Sequence, residues 1–192
     1  MKMSRFEKLF VNSDRQSRRT ARHAERLLHL VGPPTGALYL EVGCGNGATT
    51  LRVAEAFGLD AVGVDVDPEQ VRLARERAGS RVQFQAGDAT ALAFEAEAFD
   101  IVLCLKTTHH IPDWLAALRE MDRVLKPGGH LVYFDFVLPA PLAALAKALT
   151  SSAGFPTLRG LEGFAHQAGF GAVHLSASGF HYEAVWRKAA LL

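Results

Sequence analysis

The sequence feature that most constrains the fold is a regular alternation of short apolar runs with helical patterns. The apolar runs cover residues 37–42, 61–65, 82–85, 99–105 and 130–137. Between the last two runs, Trp114, Leu118, Met121 and Leu125 recur at the spacing of one helix face. Strands that alternate with helices and are apolar along most of their length are typical of a parallel sheet that is covered by helices on both faces.

The end of the chain has a different pattern. Residues 172–177 and 180–187 are strand-like, and only Ser178 and Gly179 separate them. Because so short a connection cannot cross over a sheet, the two strands must be antiparallel neighbours. The sequence therefore predicts an α/β fold of the doubly wound, Rossmann-like type. Its mostly parallel seven-stranded sheet should carry a C-terminal antiparallel hairpin at one edge.

Composition restricts the class of protein. Hydrophobic residues make up 49% of the 192 residues and charged residues 21%, as expected of a soluble globular protein. The formal net charge of +1 gives no reason to expect nucleic acid or a membrane as partner, and no run of 18 apolar residues predicts a membrane span. Cys44 and Cys104 lie in apolar stretches and make no disulfide framework. Since no signal peptide is visible, we expect a cytoplasmic protein.

A glycine-rich turn follows the first strand, with the sequence Glu-Val-Gly-Cys-Gly-Asn-Gly at residues 41–47. In a doubly wound sheet, ligands bind beyond the carboxyl ends of the strands, and glycines there let the backbone approach a ligand closely. Gly43, Gly45 and Ala48 also match the dinucleotide pattern G-x-G-x-x-A. The turn alone therefore does not identify the ligand.

The charge of Glu41 distinguishes two candidate ligands, a dinucleotide and S-adenosylmethionine. Its carboxylate would repel the pyrophosphate of a dinucleotide and attract the sulfonium and ammonium groups of S-adenosylmethionine. Opposite charges about 4 Å apart gain about 4 kcal/mol at an effective dielectric constant of about 20, before desolvation is counted. Asp65 ends the second strand 22 residues after Gly43, where it can accept hydrogen bonds from both hydroxyls of a ribose. Asp67, followed by Pro68, is the better candidate for a helix cap.

Five motifs occur in an order and at a spacing typical of one enzyme family. They lie at residues 41–47, 63–68 (GVDVDP), 87–89 (GDA), 99–102 (FDIV) and 123–129 (RVLKPGG). With these motifs the chain resembles the class I S-adenosylmethionine-dependent methyltransferases. It is most similar to the small type 11 group, which includes the ubiquinone and menaquinone ring methyltransferases. The resemblance is strong over residues 36–137 and weaker through residues 168–170.

The resemblance implies roles for particular residues. The methionine part of the cofactor would be held by the glycine turn and the residue before it, namely Glu41, Gly43, Cys44, Gly45, Asn46 and Gly47. Asp65, with Val66 beside it, would bind the ribose. Asp88 and the backbone of Ala89 would meet the adenine ring. The backbone of Leu105 would line the site.

The resemblance also implies an organisation of the chain. We expect one methyltransferase domain over residues 1–192. It would consist of an N-terminal lid helix region (1–34), a cofactor-binding core (35–137) and a variable insert followed by the C-terminal hairpin (138–192). Residues 138–149 are rich in Ala and Leu. They are expected to be ordinary core, or else an apolar helix over the pocket.

The methyl acceptor is expected beside the segment that follows the fourth strand, where His109 and His110 are the catalytic candidates. A histidine there could accept a proton from the acceptor during in-line transfer of methyl to O, N or C of a small molecule. Either histidine could instead support the loop. Lys106 could pair with an acidic acceptor or with Asp135. Adjacent histidines lack the spaced partners of a zinc site, and no carboxylate ends the fourth strand, so no metal is expected.

The predicted first helix, at about residues 14–31, carries a basic stripe. It consists of Arg15, Arg18, Arg19, Arg22 and Arg26, and it faces away from Ala24, Leu27, Leu28 and Val31. The stripe is most simply a solvated face. It could also bind an anionic acceptor, an anionic lipid surface or RNA. Since the helix would belong to the lid region, one arginine could instead bind the cofactor carboxylate.

Two other functions stay open at this point. An NAD-dependent reductase would use the same turn, but it is disfavoured by Glu41 and by the lack of a Tyr-x-x-x-Lys pair. A non-catalytic cofactor-binding or RNA-associated protein would keep the cofactor motifs without turnover on any small acceptor.

Overall fold

A computed structural model describes residues 14–150 and 153–190. The helices are α1 (Asp14–Val31), α2 (Ala48–Phe57), α3 (Pro68–Arg75), α4 (Trp114–Val124), α5 (Ala140–Leu149) and α6 (Leu158–Gln167). The strands are β1 (Leu38–Val42), β2 (Asp60–Asp65), β3 (Val82–Ala86), β4 (Phe99–Leu105), β5 (Leu125–Phe136), β6 (Phe170–Ser178) and β7 (His181–Lys188). A short 3-10 turn, Thr108–His110, follows β4.

The strands form one seven-stranded sheet in the order β3-β2-β1-β4-β5-β7-β6. Strands β1 to β5 pair in parallel, whereas β7 is antiparallel to both β5 and β6. The doubly wound α/β prediction is confirmed, including the hairpin at one edge. The strand order reverses between β1 and β4, and this is where an open α/β sheet forms its ligand crevice.

The fifth strand begins earlier than its apolar run predicts. The apolar run begins at His130, but the strand already begins at Leu125 and contains Pro127, Gly128 and Gly129. The register between β4 and β5 shifts at this point, as in a bulge. A Cβ at Gly129 would lie 2.8 Å from the carbonyl oxygen of Asp100, so only glycine lets the two backbones approach this closely.

Asp100 is a structural residue, as its position at the start of β4 predicts. Its Oδ2 accepts a hydrogen bond from the backbone N–H of Leu38 at 2.9 Å. Its Oδ1 accepts one from Nζ of Lys126 at 2.8 Å. The side chain therefore joins the amino-terminal ends of β1 and β4 to β5, far from the ligand end of the sheet.

The core consists of two apolar layers, one on each face of the sheet. On one face α1 packs with Ala24, Leu27 and Leu28 fully buried, as their helical spacing predicts. On the other face α4 buries Leu118 and Met121. Burying one such side chain contributes roughly 1.5–3 kcal/mol, so the two layers hold the carboxyl ends of the strands rigidly in place.

Helix α5 corrects the expectation for residues 138–149. The helix forms, but Leu142, Leu145 and Leu149 are 48, 58 and 79% exposed, so it is not ordinary core. Nor does it line the large cavity described below. Apart from Lys147, the residues of this helix are apolar, so its sequence gives little indication of which side, if any, is covered.

No helix within residues 14–150 and 153–190 has both the length and the apolar character that crossing a bilayer requires.

Candidate active site

The carboxyl ends of β1, β2 and β4 surround a cavity of about 620 Å³, within the range of small-molecule and cofactor sites. Most of the residues predicted for the site line it: Glu41, Gly43, Cys44, Gly45, Asn46, Asp65, Val66, Asp88, Ala89, Leu105, His109 and His110. Segments that lie up to 69 residues apart in the sequence thus meet in one space, which is the size of space that a nucleoside-type cofactor and an acceptor need.

The three glycines of the turn play different parts. All three have positive φ, at 78°, 52° and 77° for Gly43, Gly45 and Gly47. A Cβ at Gly43 would lie 2.2 Å from Oγ1 of Thr107, and one at Gly47 would lie 2.5 Å from the ring of Phe84. Other side chains therefore occupy the space that a Cβ would need at Gly43 and Gly47. The sequence suggested Gly47 as a site residue, but it does not line the cavity. Only Gly45 leaves open space at the cavity wall.

Glu41 is buried at the end of β1, with 4% of its surface exposed. Its Oε2 accepts hydrogen bonds from the hydroxyls of Thr50 at 2.5 Å and Tyr39 at 3.3 Å. Burial raises the pKa of Glu41 to about 8; the two hydroxyls oppose this rise, and the charge of Asp65 adds to it. Without a cation nearby, the carboxyl therefore tends to hold its proton near neutral pH. A ligand's positive charge would favour the carboxylate instead.

Asp65 connects the glycine turn to the end of β2. Its Oδ2 accepts a hydrogen bond from the backbone N–H of Gly45 at 2.8 Å, and its Oδ1 accepts one from Asp67 at 2.9 Å. Asp67 is the N-cap of α3, as predicted, and accepts a hydrogen bond from the N–H of Glu69. A carboxylate can accept about four hydrogen bonds, so these two do not by themselves exhaust Asp65.

The wall beyond Asp65 is formed by Val66 and Asp88. Val66 is apolar yet 58% exposed, and its side chain lines the cavity. Oδ1 of Asp88 accepts hydrogen bonds from both the backbone N–H and the hydroxyl of Thr90, at 2.8 Å each. These bonds, the backbone bond foremost, lower the pKa of Asp88. Its carboxylate therefore stays ionised and can accept hydrogen bonds at this end of the cavity.

Cys44 has a structural position in this wall. Its side chain is buried, and burial raises the pKa of the thiol above its usual range, with the charges of Glu41 and Asp65 adding to the rise. A thiol with a raised pKa is a poor nucleophile. This environment fits a structural position for Cys44 and not that of a nucleophile.

The part of the cavity wall that follows β4 contains a histidine–carboxylate pair. Nδ1 of His109 lies 2.5 Å from Oδ1 of Asp135, which is the last but one residue of β5 and is fully buried. Asp135 also accepts hydrogen bonds from the hydroxyl of Thr108 and the N–H groups of Thr107 and Phe136. Burial would raise the pKa of Asp135, but the hydrogen bonds and the charge of His109 outweigh it and lower that pKa.

This pairing determines which nitrogen of His109 is basic. An ionised carboxylate only accepts hydrogen bonds, so Nδ1 carries a proton, and in the neutral ring Nε2 is then the acceptor. The ring lines the cavity, and its side chain is 25% exposed. His110 lines the same cavity, with its ring centroid 3.9 Å from that of His109. His109 therefore has the arrangement of an oriented base.

Asp135 is a candidate site residue that the sequence analysis did not place with the histidines. The sequence suggested it as one of two possible partners of Lys106, but its carboxylate binds His109 and the loop that follows β4. Nζ of Lys106 lies instead 5.8 Å from the ring centroid of Phe134. The signal that could have found Asp135 is a carboxylate at the ligand end of an otherwise apolar strand.

The described arginines of the basic stripe on α1 are all exposed, namely Arg18, Arg19, Arg22 and Arg26. Arg26 also forms an ion pair with Glu183 at 2.6 Å. The side chain of Arg15 lies outside the described residues. The large cavity is lined from α1 by Ser17 and Thr20, and by none of the arginines whose side chains the structure describes.

A metal site was not expected from the sequence. Within the described part of the chain, no three His, Cys, Asp or Glu side chains group as metal ligands would.

Comparison with known proteins gives one family and several relatives. The family model described as "Methyltransferase domain" matches residues 40–133. The 27-O-demethylrifamycin SV methyltransferase of Amycolatopsis mediterranei (strain S699) is 36% identical over 135 residues, which are 67% of this chain and 50% of that protein. This chain thus spans about half the length of that relative.

Two further proteins match over more of their length. The demethylmenaquinone methyltransferase of Lactococcus lactis subsp. lactis (strain IL1403) is 31% identical over 180 residues, which are 78% of this chain and 71% of that protein. The crystal structure of the PH0226 protein from Pyrococcus horikoshii OT3 superimposes with a TM-score of 0.73 at 27% identity, and 93% of each chain is covered.

Proposed function

Because this chain belongs to the class I S-adenosylmethionine-dependent methyltransferases of the type 11 group, we propose that it methylates a small molecule. One observation carries the proposal. Glu41, suited to a cationic donor, and His109, suited to a proton-losing acceptor, line the same cavity at the ends of the adjacent strands β1 and β4.

The cavity wall fits the cofactor. When bound, S-adenosylmethionine supplies an electrophilic methyl group on a positively charged sulfur. Glu41 and the backbone of residues 43–46 would hold its methionine part, with Gly45 leaving the open space that this requires. Asp65 and Val66 would contact the ribose. Asp88, Ala89 and the backbone of Leu105 would enclose the adenine, while Gly47 serves the turn itself.

On the acceptor side, we assign His109 as general base and Asp135 as its positioning residue. His109 would accept at Nε2 the proton that a hydroxyl loses as its oxygen is methylated. Asp135 holds the ring in the required tautomer and stabilises the imidazolium that results. Such a base serves a hydroxyl or a carbon acid better than a neutral amine, whose lone pair is already available. We therefore propose oxygen as the methylated atom, as in the name of the rifamycin relative.

The chain's organisation and location also remain proposals. We propose that residues 1–192 act as one methyltransferase domain, with α1 contributing Ser17 and Thr20 to the lid side of the cavity. We also propose a reducing compartment such as the cytoplasm, because Cys44 and Cys104 are both free thiols.

The function is tested first by binding. Calorimetric titration of the purified chain should show saturable binding of S-adenosylmethionine and S-adenosylhomocysteine, and none of NADH. Binding of NADH alone would instead favour the reductase.

The second test is turnover. Hydroxylated aromatic compounds should release S-adenosylhomocysteine when they are added with the cofactor, and a variant with His109→Gln should lose that release. If the cofactor binds but no compound in a broad hydroxyl, carbon-acid and amine panel is methylated, and nucleic acid co-purifies with the chain, the non-catalytic alternative is favoured.

A further inference from the structure

A second cavity, of about 510 Å³, lies between α1, the end of β5 and the C-terminal hairpin. It shares Thr20 and Lys106 with the wall of the large cavity, so the two spaces adjoin. The cofactor motifs contribute nothing to it. Its walls are polar and aromatic and include Ser176, Ser178 and Phe134.

Two cations, Arg19 and Lys106, line this second cavity together with His23 and His181, against the carboxylate of Glu183, which is the one carboxylate among the described lining residues. Burial, more than any charge nearby, lowers the pKa of His23, so His23 does not add a full positive charge near neutral pH. The carboxylate of Glu183 is already engaged: Arg26 lies 2.6 Å from Oε2 and His174 lies 2.7 Å from Oε1, while His23 is 3.0 Å from Oε2. The charge of Glu183 is therefore balanced by Arg26 and His174, neither of which lines the cavity.

Arg19 and Lys106 are the cations that remain. In the part of the chain that the structure describes, neither has a carboxylate partner within ion-pair distance. Lys106 is half-buried, and burial, together with the positive charge of Arg19, lowers its pKa despite the opposing charge of Asp135. Two partnerless cations that repel each other across a cavity leave a positive potential there that an anion would relieve.

The backbone of Lys106 is also unusual. Its φ of 53° lies in the left-handed region, which few residues other than glycine, asparagine and aspartate adopt. The conformation is held by the hydrogen bond from its N–H to the carbonyl oxygen of Phe134 at 2.7 Å. Lys106 borders both cavities, and backbone strain of this kind is typical of functional sites.

We propose that the second cavity is an anion subsite for the methyl acceptor, in which Arg19 and Lys106 bind a carboxylate or phosphate carried by that molecule. The ring of Phe134, with His181 stacked on it at 5.6 Å, would pack against the body of the acceptor. The remainder would pass Thr20 and Lys106 into the large cavity, where His109 is the base. The acceptor class is thereby an anionic hydroxyl compound. This inference rests on the proposed methyltransferase function.

The test measures binding of two small anions, inorganic phosphate and benzoate, to the full chain by calorimetry or by NMR titration. Two variants each remove one cation. They are Arg19→Gln and Lys106→Asn, and asparagine is chosen at position 106 because it tolerates the left-handed backbone. Arg18→Gln is the matched control, because Arg18 is exposed on the same helix and lines neither cavity. Thermal melting checks that each variant is folded.

We expect saturable binding of at least one anion, weakened about tenfold or more by either variant, as for the loss of a charge-assisted hydrogen bond, and unchanged in the control. Tighter binding of benzoate would indicate a carboxylate acceptor, and tighter binding of phosphate a phosphate ester. Absence of binding, or equal binding by all variants, would overturn the subsite. So would binding of single-stranded RNA or anionic vesicles in place of the small anions.

Titration of the same samples with S-adenosylmethionine separates this inference from the proposed function. Cofactor binding without anion binding removes the subsite and leaves the methyltransferase. Anion binding to Arg19 and Lys106 without cofactor binding removes the methyltransferase, and with it the assignment of the anion to an acceptor.

Discussion

Oδ1 of Asp135 and Nδ1 of His109 lie 2.5 Å apart, although 26 residues separate them in the chain. The carboxylate is completely buried, whereas the imidazole reaches the cavity wall. This relationship gives His109 the arrangement that the proposed base requires, and the proposal can be tested without knowledge of the acceptor's identity.

Replacement of His109 by Gln should reduce turnover by about 10²- to 10⁴-fold, the usual contribution of a general base. The affinity for S-adenosylmethionine should change little, because the proposal gives His109 a part in binding the acceptor and not the cofactor. Turnover is measured as release of S-adenosylhomocysteine, and affinity by calorimetry. His166→Gln, which changes an exposed histidine of α6, is the control. If the His109 variant is fully active, His109 is not a base and only supports the loop.

Replacement of Asp135 by Asn should lower kcat with little change in KM, by about 10- to 100-fold, as for a lost hydrogen bond to a charged group. Since Asp135 acts through His109, the double variant His109→Gln/Asp135→Asn should be no slower than His109→Gln alone. Additive losses in the double variant would contradict the assignment.

Asp135 should also affect stability at low pH. Its pKa is lowered in the folded state, so the stability it contributes is fully present above its unfolded pKa of about 3.9. That contribution is lost as the pH falls through the lower folded pKa. Urea unfolding between neutral and acid pH should therefore show a loss in the wild type that is smaller in Asp135→Asn.

Glu41 should couple cofactor binding to proton release. Its pKa of about 8 in the free protein means that it holds a proton below that pH, and the sulfonium and ammonium charges of the cofactor favour its ionised form. Affinity for S-adenosylmethionine should therefore rise with pH and level off above about pH 8. Calorimetry in buffers with different ionisation enthalpies should detect release of up to one proton.

Glu41→Gln provides the control for this coupling. The variant should bind the cofactor more weakly, with no proton release near pH 7. The contribution of Glu41 to stability should depend on pH in the opposite sense to the contribution of Asp135. A folded pKa of about 8 lies above the unfolded value of about 4.3, so the wild type loses stability as pH rises between them, by at most about 1.4 kcal/mol per pH unit. As the pH rises over this range, the melting temperature of Glu41→Gln should therefore increase relative to that of the wild type. Parallel curves would show that Glu41 is ionised throughout.

The two glycines Gly43 and Gly45 should respond differently to substitution by Ala. Both have positive φ, which costs alanine roughly 1–2 kcal/mol. At Gly43 the new Cβ would also lie 2.2 Å from Oγ1 of Thr107, so Gly43→Ala should have the lower melting temperature. At Gly45 the nearest atom is Oε1 of Gln70 at 3.9 Å, so Gly45→Ala should fold and lose affinity for the cofactor. The opposite order of melting temperatures would contradict this division of roles.

Local information was enough to predict much of this protein from its sequence. Helix α1 begins and ends as its apolar spacing predicts, and Asp67 caps α3, because periodicity and caps depend on neighbours a few residues away. The glycine turn and the carboxyl of Glu41 lie within one strand and its loop, so both their position and their chemistry could be inferred.

Contacts between distant segments were decided only by the tertiary structure. The pairing of Asp135 with His109, and the cavity that α1 forms with the C-terminal hairpin, depend on how β4, β5 and β7 lie side by side. The exposure of α5 depends in the same way on what packs against it. A sequence pattern records how each segment repeats along itself, but the neighbour that each face meets is determined by packing, and here that packing assigned Asp135 to the histidine rather than to Lys106.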